Sequence, residues 1–523
     1  MQYRNVIKSA AVVGSFVLLS RIFGLIRDII FASYFGTSLA KSAFDVAFRI
    51  PNLFRRLFGE GALSASFIPV FTKYVSQDKE EEARQMASTL INISLLILAV
   101  AAIPLFIWTR QISQFLAPGF SGEQIEQMIA FTRLMMVLQV APLLVGNFFT
   151  GILQSYSLFL VPALAPVVYN VGIILGIVGL SGWIGLYAPV VGIGLGALLF
   201  LAIQVPLVVR VGYRHELVAN PRQRGVREVA RLIGPRTLGL AVSQVDTTVD
   251  LMLASLLGAR MVTVFNFAQH LQQLPVGLFG ATVAQAALPT LSIASGKEDL
   301  NEFKASVVSA VHQILFFVLP VSAMFVVLRI PMVRLVFGAS QFDWKATVAT
   351  GMTLSAFSIS LFAQSLTHVF ARGFYALYDT KTPVAVGIVA IAVNTVLSIL
   401  FIRSWGMPVW SLGLSTSIAS ILNAGILLLL LDRRVKAFAR KGSTQYSTFE
   451  ASSSTTSGGS NPVPVNTAAD LDNPTGYKSI TTTAVAVDTF SVGDEIKGTT
   501  ARAIITKITG SNPTYTFHYY LID

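Results

Sequence analysis

Ala32-Ser33-Tyr34-Phe35-Gly36 ends the first long apolar run of the chain and returns as Ala254-Ser255-Leu256-Leu257-Gly258. At the same offset of about 221 residues, Phe44-Asp45-Val46-Ala47 returns as Phe265-Asn266-Phe267-Ala268, Leu57-Phe58-Gly59 as Leu278-Phe279-Gly280, and Pro69 as Pro289. Gly151 with Tyr156 returns as Gly373 with Tyr378, each pair shortly before a proline, Pro162 or Pro383. One such match among Ala, Ser, Gly and Phe would carry nothing; order and spacing repeating together mark a duplicated unit.

The duplicated unit spans a membrane. Of the 523 residues 54% are hydrophobic and 12% charged, with a mean hydropathy of +0.67. The charged share is roughly half that of an ordinary soluble domain, which excludes a soluble enzyme for most of the length. Apolar runs long enough to cross a ~30 Å hydrocarbon core recur about twelve times. They fall near 8–35, 42–73, 86–109, 127–153, 158–180, 184–209, 228–258, 261–292, 305–337, 346–374, 382–402 and 409–431. The offset covers six runs, an even number, so both copies enter the membrane in the same direction and are related by an axis along its normal. The expected fold is an all-α membrane protein of two six-helix lobes, 1–209 and 228–435, joined by a basic cytoplasmic linker over 210–227.

Lys and Arg alternate between loops. One set holds Arg4, Lys8, Lys73, Lys79, Arg84, the arginines from Arg210 to Arg231, Lys297, Lys304, Lys381 and Arg433 to Lys441; the other holds little beyond Lys41, Arg110, Arg260, Lys345 and Arg403. Because cations are retained on the inner side during insertion, the N-terminus and the Leu431 end are both expected in the cytoplasm. The net charge of +12 is thereby read as membrane topology and lipid contact, not nucleic-acid binding. The chain has no cysteine, which excludes disulfides, thiolate catalysis and Cys-based metal sites. Residues 442–474 have the Ser/Thr/Gly/Asn/Pro composition of a flexible linker. Residues 475–523 alternate Thr, Val, Ile and Tyr between turn signals and predict a small β-rich tail.

An ionisable group inside a span costs several kcal/mol unless it is paired or faces water, so such residues are candidates for function. The first span carries Arg21, Arg27 and Asp28. At 100° per residue Arg21 and Asp28 fall about 20° apart on one face, while Arg27 points about 120° from Arg21. The second span adds Asp45 and Arg49 at the spacing of an ion pair one helical turn apart, then Pro51, Arg55, Arg56 and Glu60. The bland reading neutralises Asp45 with Arg49 and sends Arg55 and Arg56 to the interface. The functional reading turns the guanidinium groups into a wet cavity, where they would bind a polyanion such as a diphosphate bidentately. Through the repeat, Asn266 aligns with Asp45 and His270 with Arg49. Asp250, Asn394 and Ser415 sit at comparable depth and could supply oxygen ligands to a monovalent cation, the one cofactor-like role the residues allow. Gly172/Gly176 and Gly192-Ile193-Gly194-Leu195-Gly196 predict close helix packing. There is no Walker A sequence, His-Glu-x-x-His or Gly-x-Ser-x-Gly, so transport fits better than catalysis.

Ser20-Arg21-Ile22-Phe23-Gly24-Leu25-Ile26-Arg27-Asp28, then Ala47-Phe48-Arg49-Ile50-Pro51-Asn52-Leu53-Phe54-Arg55-Arg56 and Gly59-Glu60-Gly61-Ala62, resemble the N-terminal signature of the bacterial lipid II flippase family MurJ/MviN. Leu274-Pro275-Val276-Gly277-Leu278-Phe279-Gly280 and the stretch from Phe374 to Pro383 resemble it too, so the likeness covers about 5–435. The resemblance implies a MATE-like exporter fold and alternating-access movement of an undecaprenyl-diphosphate-linked peptidoglycan precursor between leaflets. Arg21 and Arg27 match the family's first-span arginines and Asp28 the acid beside them; Ser20 and Arg55 stand in the matched motifs. Three departures stand out. Ser42 occupies the place of a second-span acid, with Asp45 nearly one turn later; the family's eighth-span arginine falls on His270; and the apolar sequence ends at about Leu431, where family members commonly add two spans.

Three functions are therefore in contention. A flippase would hold lipid II, or a similar polyprenyl-diphosphate-linked sugar, through Ser20, Arg21, Arg27, Asp28, Asp45, Arg49, Arg55 and His270, working as a monomer among membrane lipids. A MATE-like exporter of another lipid-linked oligosaccharide or a drug is the alternative; for a cationic drug it predicts an acidic cavity. A non-transporting scaffold predicts that Arg21 and Arg27 are dispensable.

Overall fold

The computed structural model describes residues 2–58, 62–296, 300–338 and 341–452, and four strand segments beyond them. The first half contains α1 (Gln2–Phe35), α2 (Leu39–Phe58), α3 (Ala62–Val75), α4 (Glu80–Ile107), α5 (Thr109–Leu116), α6 (Gly122–Ser155), α7 (Leu160–Ile184), α8 (Tyr187–Ala202) and α9 (Val205–Arg210). The second contains α10 (Arg224–Leu256), α11 (Ala259–Pro275), a π-helical turn (Val276–Ala281), α12 (Thr282–Gly296), α13 (Leu300–Val327) and α14 (Arg329–Phe337). It continues with α15 (Trp344–Ser358), α16 (Leu361–Ala376), α17 (Lys381–Ile399), a second π turn (Leu400–Ser404) and α18 (Trp410–Ser452).

Among the described residues eight helices are long and apolar enough to cross a membrane, or nine if α15 and α16, bent by 43°, form one span. The other three expected spans, 8–35, 42–73 and 228–258, are also helical, as α1, α2 with α3, and α10. These helices hold Arg21, Arg27, Asp28, Asp45, Arg49, Asp246 and Asp250, so charge is concentrated on a few elements.

Local chemistry repeats with the sequence. Gly36 (φ 53°) and Gly258 (φ 119°) follow α1 and α10 in the left-handed region that glycine tolerates. Ser121 caps α6 in a capping box with Gln124, and Asp343 caps α15 by accepting from the Ala346 N–H. Helices α7 and α8 cross at the glycines singled out by spacing: a methyl group on Gly172 would lie 2.4 Å from Gly196 Cα, and one on Gly176 2.2 Å from Gly192 Cα. Only small residues permit that approach between spans.

The chain divides into two compact units. One comprises 1–285, 310–371 and 379–427; the other comprises 286–309, 372–378 and 428–523. In the first, Phe67, Phe131, Phe148, Phe265 and Phe357 are among the largest fully buried side chains. In the second, α18 runs to Ser452, into the stretch expected as a linker over 442–474. The helix persists where composition suggested none; 453–477 lie outside the described residues. Strands β1 (Lys478–Thr483), β2 (Glu495–Lys497), β3 (Arg502–Ser511) and β4 (Thr514–Leu521) pair antiparallel in the order β1-β4-β3-β2. Residues 484–494 and 498–501 of the expected β-rich tail lie outside the described residues.

The polar linker is a built segment. Residues 211–223 are non-helical and lie against α4. Asn92 donates to the carbonyls of Glu216 (2.8 Å) and Val218 (2.9 Å), and Arg84 Nε lies 3.0 Å from Glu216 Oε1. The Tyr213 hydroxyl is within 3.1 Å of Ser88 Oγ. Burial pushes that phenol up to about 12, so it stays protonated at any physiological pH.

Candidate functional site

A cavity of about 260 Å3 is lined by residues of α1, α2, α7, α8, α10 and α11. Its charged groups are Arg27, Asp28, Lys41, Asp45 and Arg49, with the imidazole of His270 and the phenol of Tyr169 beside them. Three cations, Arg27, Lys41 and Arg49, thus share the cavity with two carboxylates, Asp28 and Asp45.

Arg27 and Asp28 are consecutive on α1, a spacing at which helical side chains ordinarily diverge. The long arginine folds back, and its Nε and Nη2 donate to Asp28 Oδ1 at 3.1 and 2.8 Å. The other carboxylate oxygen, Asp28 Oδ2, accepts from His270 Nδ1 on α11 at 2.8 Å. Asp28 is only 9% exposed, and it joins a guanidinium from the first copy of the repeat to an imidazole from the second. A buried carboxylate is tolerated because both of its oxygens have donors.

The pairing of Asp45 with Arg49, the bland reading of their spacing, is not among the ion pairs of the described residues. Asp45 forms its ion pair with Lys41, one turn in the other direction, and accepts from Thr263 Oγ1 at 2.9 Å. Lys41, read from its loop position as an outer-surface cation, is 4% exposed. Its ammonium lies over the Phe31 ring (4.3 Å) and the Phe267 ring (5.0 Å), so cation–π attraction offsets part of its desolvation. Arg49 Nη2 instead donates to Asn266 Oδ1 at 3.1 Å and to Gln269 Oε1 at 3.4 Å. Ser42, at the place of the expected acid, bonds Thr263 Oγ1 at 2.9 Å.

The remaining predicted residues lie elsewhere. Arg21 and Ser20 are not among those lining the cavity. The Arg21 guanidinium rests on Gly277 in the first π turn, where a methyl group would lie 1.4 Å from Nη1. Ser20 contributes its carbonyl, which accepts from Asn170 Nδ2 at 3.5 Å. Arg55 is on α2, but its side chain falls outside the described residues. Residues that sequence reasoning missed are Asn170, Thr263, Gln269 and the true role of Lys41; only the polarity of Asn170 within an apolar run could have signalled it.

The candidate cation ligands form a second cluster. Asn394 Nδ2 donates to Asp246 Oδ1 (2.8 Å) and Asp250 Oδ2 (3.2 Å), and Ser398 donates to Asp250 Oδ1 (2.9 Å). Ser415 reaches the carboxylate only through Ser398, 2.7 Å away. Asn394 Oδ1 is buried with no hydrogen-bond partner among the described residues. An oxygen-only donor set with one unsatisfied acceptor suits a hard cation. Among the described residues no group of three or more His, Asp or Glu side chains is placed to hold a metal.

The family model described as Lipid II flippase MurJ matches residues 31–456. The lipid II flippase of Burkholderia cenocepacia is 30% identical over 441 residues, covering 82% of this chain and 84% of that protein. A probable lipid II flippase of Vibrio cholerae is 30% identical over 442 residues, covering 81% and 82%. Among solved structures, one of lipid II flippase MurJ in an inward closed conformation superposes with a TM-score of 0.71 at 25% identity, covering 85% of this chain and 93% of that one. An inward-facing multidrug MATE transporter gives 0.71 at 14% identity, covering 82% and 99%, which speaks to the fold alone.

Proposed function

The chain belongs to the lipid II flippase MurJ family, and from that premise we propose that it carries lipid II, or a related polyprenyl-diphosphate-linked sugar, from the inner to the outer leaflet of the bacterial inner membrane. The observation that supports this reading is the cavity itself. Arg27 and Arg49 line it, and a guanidinium binds phosphate with paired N–H donors. A cationic drug is the weaker cargo, because both carboxylates in the cavity already have cationic partners, Asp28 in Arg27 and Asp45 in Lys41.

In this reading the helices form twelve spans in two six-helix lobes, N-terminus inside, with the β-rich tail appended after them. The chain works as a monomeric transporter without a catalytic step of its own. Ser20, Arg21 and Arg55 stay in the substrate assignment as residues engaged when the lobes move. The contacts of Gly36 with the Gln341 carbonyl and of Gly119 with the Ser255 carbonyl would then close the outer side, leaving the cavity to fill from within. The decisive experiment is translocation of fluorescent lipid II across proteoliposomes holding the purified protein. Outward movement above protein-free vesicles is expected, and none would be seen with undecaprenol, which lacks the diphosphate.

We read Asp250, Asn394 and Ser415 as ligands for a monovalent coupling cation, with Asp246 and Ser398 added by proximity. Flipping at fixed voltage should fall when sodium is replaced by choline, and Asp250→Ala should abolish that difference. Equal rates in both media for the wild-type chain would end the cation reading. A proton through His270 makes a separate demand. A proton gradient imposed at fixed voltage in sodium-free medium should speed wild-type flipping, while His270→Arg, whose guanidinium stays charged, should not respond to it. Equal responses in both proteins would remove His270 from the assignment.

A further inference from the structure

Arg27 has five N–H donors, and three are used within the protein: Nε and Nη2 toward Asp28, and Nη1 toward Asn170 Oδ1 at 3.1 Å. Asn170 stands on α7 and is 7% exposed. Its Nδ2 donates to the Pro166 carbonyl at 3.0 Å and the Ser20 carbonyl at 3.5 Å. Both carbonyls can only accept, so the amide has one admissible orientation, with its oxygen turned to Arg27. The orientation of Asn170 is thus set by α1 and α7 together, before any ligand arrives.

We propose that Asn170 is a positioning residue for the diphosphate: it fixes the Arg27 guanidinium so that its two remaining N–H groups are presented to the cavity. The proposal rests on the reading above that Arg27 holds the diphosphate. Asp28 alone grips one edge of the guanidinium and leaves rotation of the arginine stem unopposed. Asn170 supplies the second point, on the opposite nitrogen and from another helix. A neutral amide does this without cancelling the positive charge, which an aspartate there would do. Preorganisation of this kind lowers the ordering that binding requires and therefore acts on affinity.

The test compares wild type, Asn170→Ala, Asn170→Ser and Arg27→Ala in nanodiscs and proteoliposomes, with undecaprenyl diphosphate as the binding probe and lipid II as the transported substrate. Asn170→Ala is expected to weaken undecaprenyl diphosphate binding about tenfold, the loss of one hydrogen bond to a charged group. The KM for lipid II should rise in proportion, with kcat retained at saturation. Asn170→Ser, whose hydroxyl can bond Pro166 and still accept, should fall between the two and covers the case in which the alanine variant does not fold. A merely structural Asn170, shaping α7 beside Pro166, would lower the melting temperature and kcat and leave affinity unchanged; that result overturns the proposal. If Arg27→Ala binds undecaprenyl diphosphate like wild type, the assignment of Arg27 fails first. If Arg27→Ala binds weakly while both Asn170 variants bind normally, the positioning role alone is wrong.

Discussion

Arg27→Ala should eliminate flipping of lipid II and fail to support growth of cells depleted of their own flippase, while the protein still reaches the membrane. Two losses coincide in this variant. The cavity loses a guanidinium that faces it, and Asp28, 9% exposed, keeps His270 alone as a partner among the described residues. Removing one member of a buried charged contact costs about 2–5 kcal/mol, roughly thirty- to several-thousand-fold in affinity. Arg27→Lys separates charge from geometry. Lysine keeps the cation but not the paired donors that reach Asp28 and Asn170 at once, so it should recover a small part of the activity. Wild-type transport with alanine at this position would overturn the assignment of the diphosphate to Arg27, whereas growth without transport by either protein would leave the scaffold hypothesis standing.

The second large effect is on stability. Lys41→Met leaves the Asp45 carboxylate buried without its cation, and breaking one side of a buried ion pair costs about 3–5 kcal/mol. The double variant Lys41→Met/Asp45→Asn removes the stranded charge, and its amide can still accept from Thr263. Thermal unfolding in detergent should therefore rank wild type as most stable, the double variant next and Lys41→Met last. Phe31, Phe44 and Phe267 surround the ammonium, and methionine packs well against aromatic rings, which favours recovery in the double variant. Were Lys41→Met no less stable than the double variant, the pair would be worth nothing to the fold. The absence of cysteine allows a single introduced thiol to report, by labelling from outside, whether breaking this pair on α2 also exposes the cavity.

Much of the site was legible because membrane burial makes charge conspicuous. Arg27, Asp28, Asp45, Arg49 and His270 stand out in apolar runs, and all five line one cavity. The repeat placed Asn266 and His270 on the helix that faces α2, and both engage residues of the first copy, Asn266 with Arg49 and His270 with Asp28. Arg21 was equally conspicuous yet rests on Gly277. Helical angles put it on the face of Asp28, but the π turn brings a side-chain-free surface against it from another helix, and no local pattern encodes that meeting. Asn170 was overlooked for the opposite reason: a single amide in a span is ordinarily a packing residue, and its value comes from Arg27, far away in the chain.

Roughly where the long apolar helices fall, which residues recur at the offset of about 221, and which few elements carry charge are properties of hydropathy and spacing, and these are local quantities legible in the sequence. Partner choice is different. Asp45 has a cation one turn before it and another one turn after it, and the helix geometry treats Lys41 and Arg49 alike. Packing decides between them: aromatic rings from α1, α2 and α11 enclose the ammonium, while Asn266 and Gln269 of α11 take the guanidinium. In a medium without water, a charge goes where other helices can satisfy it, and only the assembled fold holds that information.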